Sequence, residues 1–156
     1  MEFHVRSARL TDVDAAIRIL VRDPSDSGEQ REDADRLRSL LFLPAATVVV
    51  AESAKRLVGV GVLSIRPSVR SGPFVGVIDE LGTDDRGLTG ERVAGAAESP
   101  GSTEVGGSII EQLVASARNK GCARVEVADP LVSAEPELMQ SAGFARQGAL
   151  LSRTIG

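Results

Sequence analysis

Apolar positions along the chain recur in two periods, and the switches between them mark the elements. Val5 to Arg9 reads as a short first strand. Thr11 has the character of a helix N-cap, with Asp12 and Asp14 in the first turn, where negative charge suits the helix dipole. Ala15, Ile17, Ile19, Leu20 and Val21 give this helix an apolar face up to about Arg22, and the Pro- and Gly-containing run Asp23 to Gly28 breaks it. Ala34, Leu37, Leu41 and Phe42 predict a second helix from about Glu29 to Phe42, stopped by Pro44. The pattern then turns β-like. Thr47 to Ala51 and Leu57 to Ile65 flank the polar turn Glu52-Ser53-Ala54-Lys55 and read as an antiparallel hairpin, and Phe74 to Leu81 supplies a third consecutive strand.

From Gly82 to about Thr103 the chain changes character, with glycines and Pro100 scattered among small and charged residues. A connection of this length without its own apolar pattern is uncommon inside a compact domain, so poor order is expected over much of Asp84 to Pro100. The strongest helix follows, entered through Gly106-Gly107 and beginning after Thr103 to Ser108, with Ile109, Ile110, Leu113, Val114 and Ala117 on one face and Gly121 placed as the residue just past its end. Val125 and Val127 alternate with Arg124 and Glu126 as a strand. A short helix from about Glu135 to Ala142 stops at Gly143, and Phe144 and Leu150 to Ile155 are further strand material. The pattern describes one domain over 1–156 with an insertion at about 84–103.

Composition narrows the function classes. The length of 156 residues suffices for a full hydrophobic core. No stretch approaches the roughly 18 apolar residues of a membrane span, and the N-terminus lacks a secretory apolar core. A single cysteine, Cys122, suits a reducing cytoplasm. The net charge of −4, with no Trp or Tyr and four Phe, argues against nucleic acid, which demands clustered cations and stacking platforms. One histidine, His4, and one cysteine cannot build a typical zinc site, so no metal is expected.

Several segments, taken in order, resemble the Gcn5-related N-acetyltransferase (GNAT) superfamily. Val5-Arg6-Ser7-Ala8 with Thr11-Asp12 and Ala15-Ala16-Ile17 is similar to its opening segment, and Val49-Val50-Ala51-Glu52 with Leu57-Val58-Gly59-Val60 to its second and third strands. Val77-Ile78-Asp79-Glu80-Leu81 resembles its fourth strand, Gly121 to Val127 the end of the cofactor helix and the fifth strand, and Leu138 to Phe144 its C-terminal F-Y-x-x-x-G-F element. The resemblance covers nearly the whole chain. It implies an α+β fold with α/β/α layering: a mixed, mostly antiparallel sheet of six to seven strands flanked by about four helices. It also implies acetyl-CoA, or another acyl-CoA, as cosubstrate and a primary amine of a small molecule or peptide as acceptor. Dimers are common in the family, so a homodimer is a further expectation.

Acyl transfer from a thioester to an amine needs a held pyrophosphate, a deprotonated amine and a stabilised carbonyl oxygen. A glycine-containing helix N-terminus supplies the first through free N–H groups and the positive dipole end. Aligning Gly107 with the last glycine of the family's Q/R-x-x-G-x-G/A motif puts Val105 at the first glycine and Ser102 at the Gln/Arg position, and makes Val105, Gly106, Gly107, Ser108 and Ile109 the expected cradle. Arg86-Gly87-Leu88-Thr89-Gly90 looks superficially similar, but no apolar helix follows it closely. Glu104 would repel a pyrophosphate beside that cradle. Asp79 and Glu80 are the candidate general bases, of which at most one points into the cleft of a regular strand. The oxyanion partner would be a backbone N–H among Leu81, Gly82 and Thr83. The family's frequent acid is Tyr, and Met139 stands at the matching position. A thiolate tolerates that loss as a leaving group, since thiols ionise near pH 8.5. The same departures fit a second reading, a non-catalytic module that binds acyl-CoA or a partner.

Overall fold

The computed structural model describes residues 2–21, 27–70, 72–84, 102–128, 131–132, 135–148 and 151–155. The expected insertion, apart from its two ends, lies outside the described residues. Five strands form one sheet in the order β1 (His4–Ser7), β2 (Ala46–Ser53), β3 (Arg56–Pro67), β4 (Phe74–Thr83) and β5 (Cys122–Val127). All neighbours are antiparallel except β4 and β5, which run parallel. The β2–β3 hairpin closes on Ala54 and Lys55, both in the left-handed region at φ 49° and 64°, which gives the two-residue turn that matches strand twist.

Each sheet face buries its own core. On one face α1 (Val13–Leu20) and α2 (Ser27–Leu40) cover Val48, Val50, Val60 and Val62, with Ala16, Ile17 and Leu37 inserted from the helices. On the other, α3 (Ser102–Asn119) and α4 (Pro136–Ser141) cover Val49, Ala51, Leu63 and Ile78. β2 and β3 are therefore apolar on both sides, which is why their sequences read as near-continuous apolar runs. α3 packs directly on β3 because Gly59 and Gly61 leave the space. A Cβ at Gly59 would lie 2.6 Å from Ile109 Cδ1 and 2.7 Å from Val105 Cγ1, and one at Gly61 would strike Ile109 and Leu113.

Three expectations change. The sheet has five strands among the described residues, because residues 144–148 and 151–155 lie outside it. Strand preference is mostly a preference for a packed, paired surface, and here that segment has none. Thr11 is not the cap of α1; it lies in a 3-10 turn, Leu10–Asp12, that leads into the helix. Asp12 instead accepts the Arg9 N–H at 2.7 Å and two bonds from the Arg6 guanidinium, at 2.7 and 3.0 Å. Arg6 also reaches Glu52 at 3.2 Å, so this buried cluster ties β1, β2 and the entry to α1 together. Finally, α3 starts at Ser102, before Gly106-Gly107 rather than after them. Helices in proteins are held mainly by the packing of their apolar face, and Val105, Ile109, Ile110 and Leu113, all fully buried, carry the two glycines into the helix.

Candidate functional site

The parallel pair β4–β5 runs from Phe74 opposite Cys122 to Ile78 opposite Val127, and then the strands part. The last link among the described residues is the Ala128 N–H donating to the Ile78 carbonyl at 3.2 Å. β4 continues to Thr83 paired with β3 alone among the described residues, so the sheet opens into a wedge beyond Ile78.

A bulge sits at the mouth of this wedge. Val62 faces Glu80 and Leu63 faces Ile78, which leaves Asp79 as the extra residue. The bulge reverses the alternation of β4. Ile78 and Leu81, three apart, both pack with the α3 core, where a regular strand would send them to opposite faces. Gly82 falls on the α1 face: a Cβ there would lie 3.2 Å from Ile19 Cγ2 and 3.3 Å from Leu20 Cδ2. Glu80, two residues earlier, shares that face.

The backbone directions follow from one bond. The Asp84 N–H donates to the Val58 carbonyl on β3 at 3.0 Å. Alternation in an antiparallel pair then turns the Gly82 and Glu80 N–H groups towards β3, and those of Leu81 and Thr83 towards the side that β5 has left. Glu80 stays reachable from solvent, yet its carboxyl is held above the ordinary 4.5, first by partial desolvation, then by the like charge of Asp79, then by Asp33 of α2. Asp33 is a site neighbour that no period or motif marks, because it arrives from a helix 47 positions upstream of Glu80 only through the packing of α2. Asp33 itself is paired with Arg36 at 2.9 Å.

α3 brings its N-terminus to the same end of the sheet. Val105 seats over Gly59, and Gly59 is the partner of Thr83 at the end of β4. Within α3 the N–H groups of Ser102, Thr103 and Glu104 have no carbonyl of the preceding turn to bond. The expected cradle residues divide by face. Val105 and Ile109 are wholly buried in the core, and Gly106 lies against α4, where a Cβ would be 2.8 Å from Leu138 Cδ2. Gly107 faces open space, with nothing within 4 Å of a Cβ. Gly107 and half-buried Ser108 line a groove of about 640 Å³ with Thr103, Glu104, Leu138 and Val5. The described lining includes none of residues 79–83, so the groove and the carboxylates are separate parts of the same end of the molecule. The backbone at the start of α3 and the bare face at Gly107 suit a pyrophosphate; the exposed Glu104 carboxylate opposes one. Met139, at the position of the family's Tyr, is 3% exposed and belongs to the core. Among the described residues no cluster of His, Cys, Asp and Glu could hold a metal ion, and no helix is long and apolar enough to cross a membrane.

The arrangement matches solved proteins along its whole length. An aminoglycoside N-acetyltransferase solved in complex with CoA superposes with a TM-score of 0.73 at 15% identity, covering 99% of this chain and 95% of that one. Glucosamine-6-phosphate N-acetyltransferase from Arabidopsis thaliana gives 0.74 at 15% identity over 100% of both chains. A transcriptional regulator from Bacillus halodurans gives 0.73 at 15% identity, over 99% of this chain and 100% of that one. No family model matches the chain, and no curated protein matches its sequence.

Proposed function

We propose that this chain, which has the fold of the Gcn5-related N-acetyltransferases, transfers an acyl group, in the first instance acetyl, from acyl-CoA to a primary amine of a small molecule or peptide. The observation that carries the reading is the wedge. β4 and β5 part after Ile78, a bulge re-aims the strand beside the gap, and α3 brings the backbone N–H groups of its first turn to the same end.

In this reading the N–H groups of Ser102 to Glu104 hold the pyrophosphate, and Gly107 leaves it room. Bound acyl-CoA supplies an activated thioester carbonyl and a leaving thiolate. The Leu81 N–H, turned towards the wedge, donates to the carbonyl oxygen as negative charge develops there. Glu80 takes the proton from the incoming ammonium, and its raised affinity for protons brings it closer to the working pH of a general base. Asp79 and Asp33 add negative charge beside it, which attracts a cationic acceptor. Met139 carries a thioether with no proton to donate, so departure of CoA rests on the low basicity of the thiolate.

The absence of any Tyr, with Met139 at the matching position, favours the second reading, a module without turnover that binds acyl-CoA or a partner. One experiment separates the two. Acetyl-CoA binding is measured by calorimetry on ligand-free protein, and thiol release is then followed with a panel of polyamines, aminoglycosides and amino-acid amines. Micromolar binding with amine-dependent release that Glu80→Gln abolishes supports the enzyme. Binding without release supports the acyl-CoA module, and no binding refutes both acyl-CoA readings in favour of a domain that serves partner interactions alone.

A further inference from the structure

The end of the sheet away from the wedge gathers three stretches of chain. Residues 41–45, between α2 and β2, are tied to the end of α3 by Lys120 Nζ donating to the Pro44 carbonyl at 2.9 Å. They are tied to β3 by the Ile65 N–H donating to the Ala45 carbonyl at 2.7 Å. The β3–β4 turn is closed by the Ser68 N–H on the Pro73 carbonyl at 3.0 Å, and a Cβ on its Gly72 would lie 2.8 Å from Ala123 Cβ of β5. Phe74 then pairs with Pro67 on one side and Cys122 on the other. The α2–β2 turn, the β3–β4 turn and the α3–β5 junction thus form one surface, with the wedge at the other end of β4.

This surface combines exposed apolar side chains with positive charge. Phe42 is 71% exposed, Val69 is fully exposed, and Leu43 and Phe74 are exposed beside them. The charged residues within 41–45, 64–74 and 118–126 are Arg66, Arg70, Arg118, Lys120, Arg124 and Glu126, so five cations meet one carboxylate in a chain whose net charge is −4. Glu126 is already shared by Arg66 and Arg124, at 2.9 and 2.6 Å. The wedge end carries Asp79, Glu80 and Glu104 instead, so the molecule is polarised from end to end.

The pairing of charge and shape selects the partner. Clustered cations favour an anionic surface, and protruding apolar side chains favour a place out of water. Peptides are held in grooves or along sheet edges, whereas Phe42 and Val69 stand on two separate turns. A bilayer interface accepts separate apolar side chains without a matching shape, while its anionic headgroups meet the cations around them. We infer that this end of the chain docks on an anionic lipid surface, with Phe42, Leu43 and Val69 entering the interface and Arg70, Arg118 and Lys120 lying over the headgroups. The contact is peripheral, and it leaves the wedge facing solution.

The test is co-sedimentation of the full chain with vesicles of phosphatidylcholine alone and of phosphatidylcholine mixed with phosphatidylserine, at low and at physiological salt. Binding to the mixed vesicles alone is expected, weakening as salt rises. Arg70→Glu combined with Arg118→Glu should lower the affinity by at least about a hundredfold, since each change reverses a charge. Phe42→Ser combined with Val69→Ser should lower it by at least about tenfold, through the loss of two apolar contacts. All four side chains are exposed, so the far-UV circular dichroism of both variants should match the parent's. Failure to bind the mixed vesicles overturns the proposal, including the case in which this end captures an acidic protein instead. Equal binding to phosphatidylcholine alone, or unchanged affinity in either double variant, overturns it as well.

Discussion

Gly107 lies inside α3, yet nothing approaches within 4 Å of where its Cβ would be. Glycine in a helix interior is about 0.8–1.0 kcal/mol less favourable than alanine. No steric term offsets that difference here, so Gly107→Ala should stabilise the chain by about 1 kcal/mol. For a domain of this size that is a rise in Tm of roughly 2–4 °C. The same position lines the groove beside Thr103 and Ser108, so occupancy of its bare face should obstruct acyl-CoA. A ligand at a hundredfold excess over its Kd stabilises the folded state by about 2.7 kcal/mol, and the parent should therefore melt several degrees higher with saturating acetyl-CoA. Gly107→Glu, which adds bulk and negative charge, should melt no lower than the parent alone and lose the ligand-induced shift. Far-UV circular dichroism is the suitable readout, since a chain without Trp or Tyr has little intrinsic fluorescence. An Ala variant that melts below the parent would refute the helical, unobstructed placement of Gly107. A Glu variant that keeps the full acetyl-CoA shift would refute the cradle and leave the helix argument standing.

Glu80→Gln should lower turnover by about 10²–10⁴-fold and remove the acid limb of the pH–rate profile. In the parent that limb should lie above pH 4.5, because the folded environment raises the Glu80 value and the working form is the ionised one. Asp12→Ala should destabilise the chain by about 3 kcal/mol, since it takes one partner from a buried pair whose side chains are only 17% and 10% exposed. Arg6 holds the Asp12 carboxyl below its ordinary 3.8, so the stability it contributes is complete above that value and lost as pH falls through the lower folded value; urea midpoints of parent and variant should converge in acid. Gly61→Ala should cost about 1–3 kcal/mol in urea unfolding, because its Cβ would meet Ile109 and come within 2.9 Å of Leu113 Cδ1. A midpoint equal to the parent's would mean that α3 rides higher on β3 than the structure places it.

What was legible in the sequence is what side-chain periodicity controls. The apolar face of α3, the β2–β3 hairpin and the carboxylate doublet on β4 follow from local pattern, and the structure places them on those elements; on α1, Ile17 and Ile19 are buried as read, together with Val13 and Ala16, which the reading left out. The bulge at Asp79 was not legible, because a bulge is a relation between strands: Val62 and Leu63 define it as much as Ile78 and Glu80 do. Yet the bulge settles which carboxylate shares the α1 face with Gly82. The start of α3 was misplaced for a related reason. Gly106-Gly107 read as a helix entry by propensity, whereas burial of Val105 over Gly59 extends the helix past them to Ser102. That contact bears on function as well. Valine at the motif's first glycine looks like damage when only the motif is considered, but its side chain turns into the core, where Gly59 leaves it space, and never meets the groove. The donors that the proposed chemistry relies on, at Leu81 and at Ser102 to Glu104, belong to the backbone, which any side chain leaves in place. Departures from the motif therefore weigh against acyl-CoA binding only where the side chain points at the ligand, which Val105 does not; the opposing charge comes from Glu104, at a position that the motif leaves open.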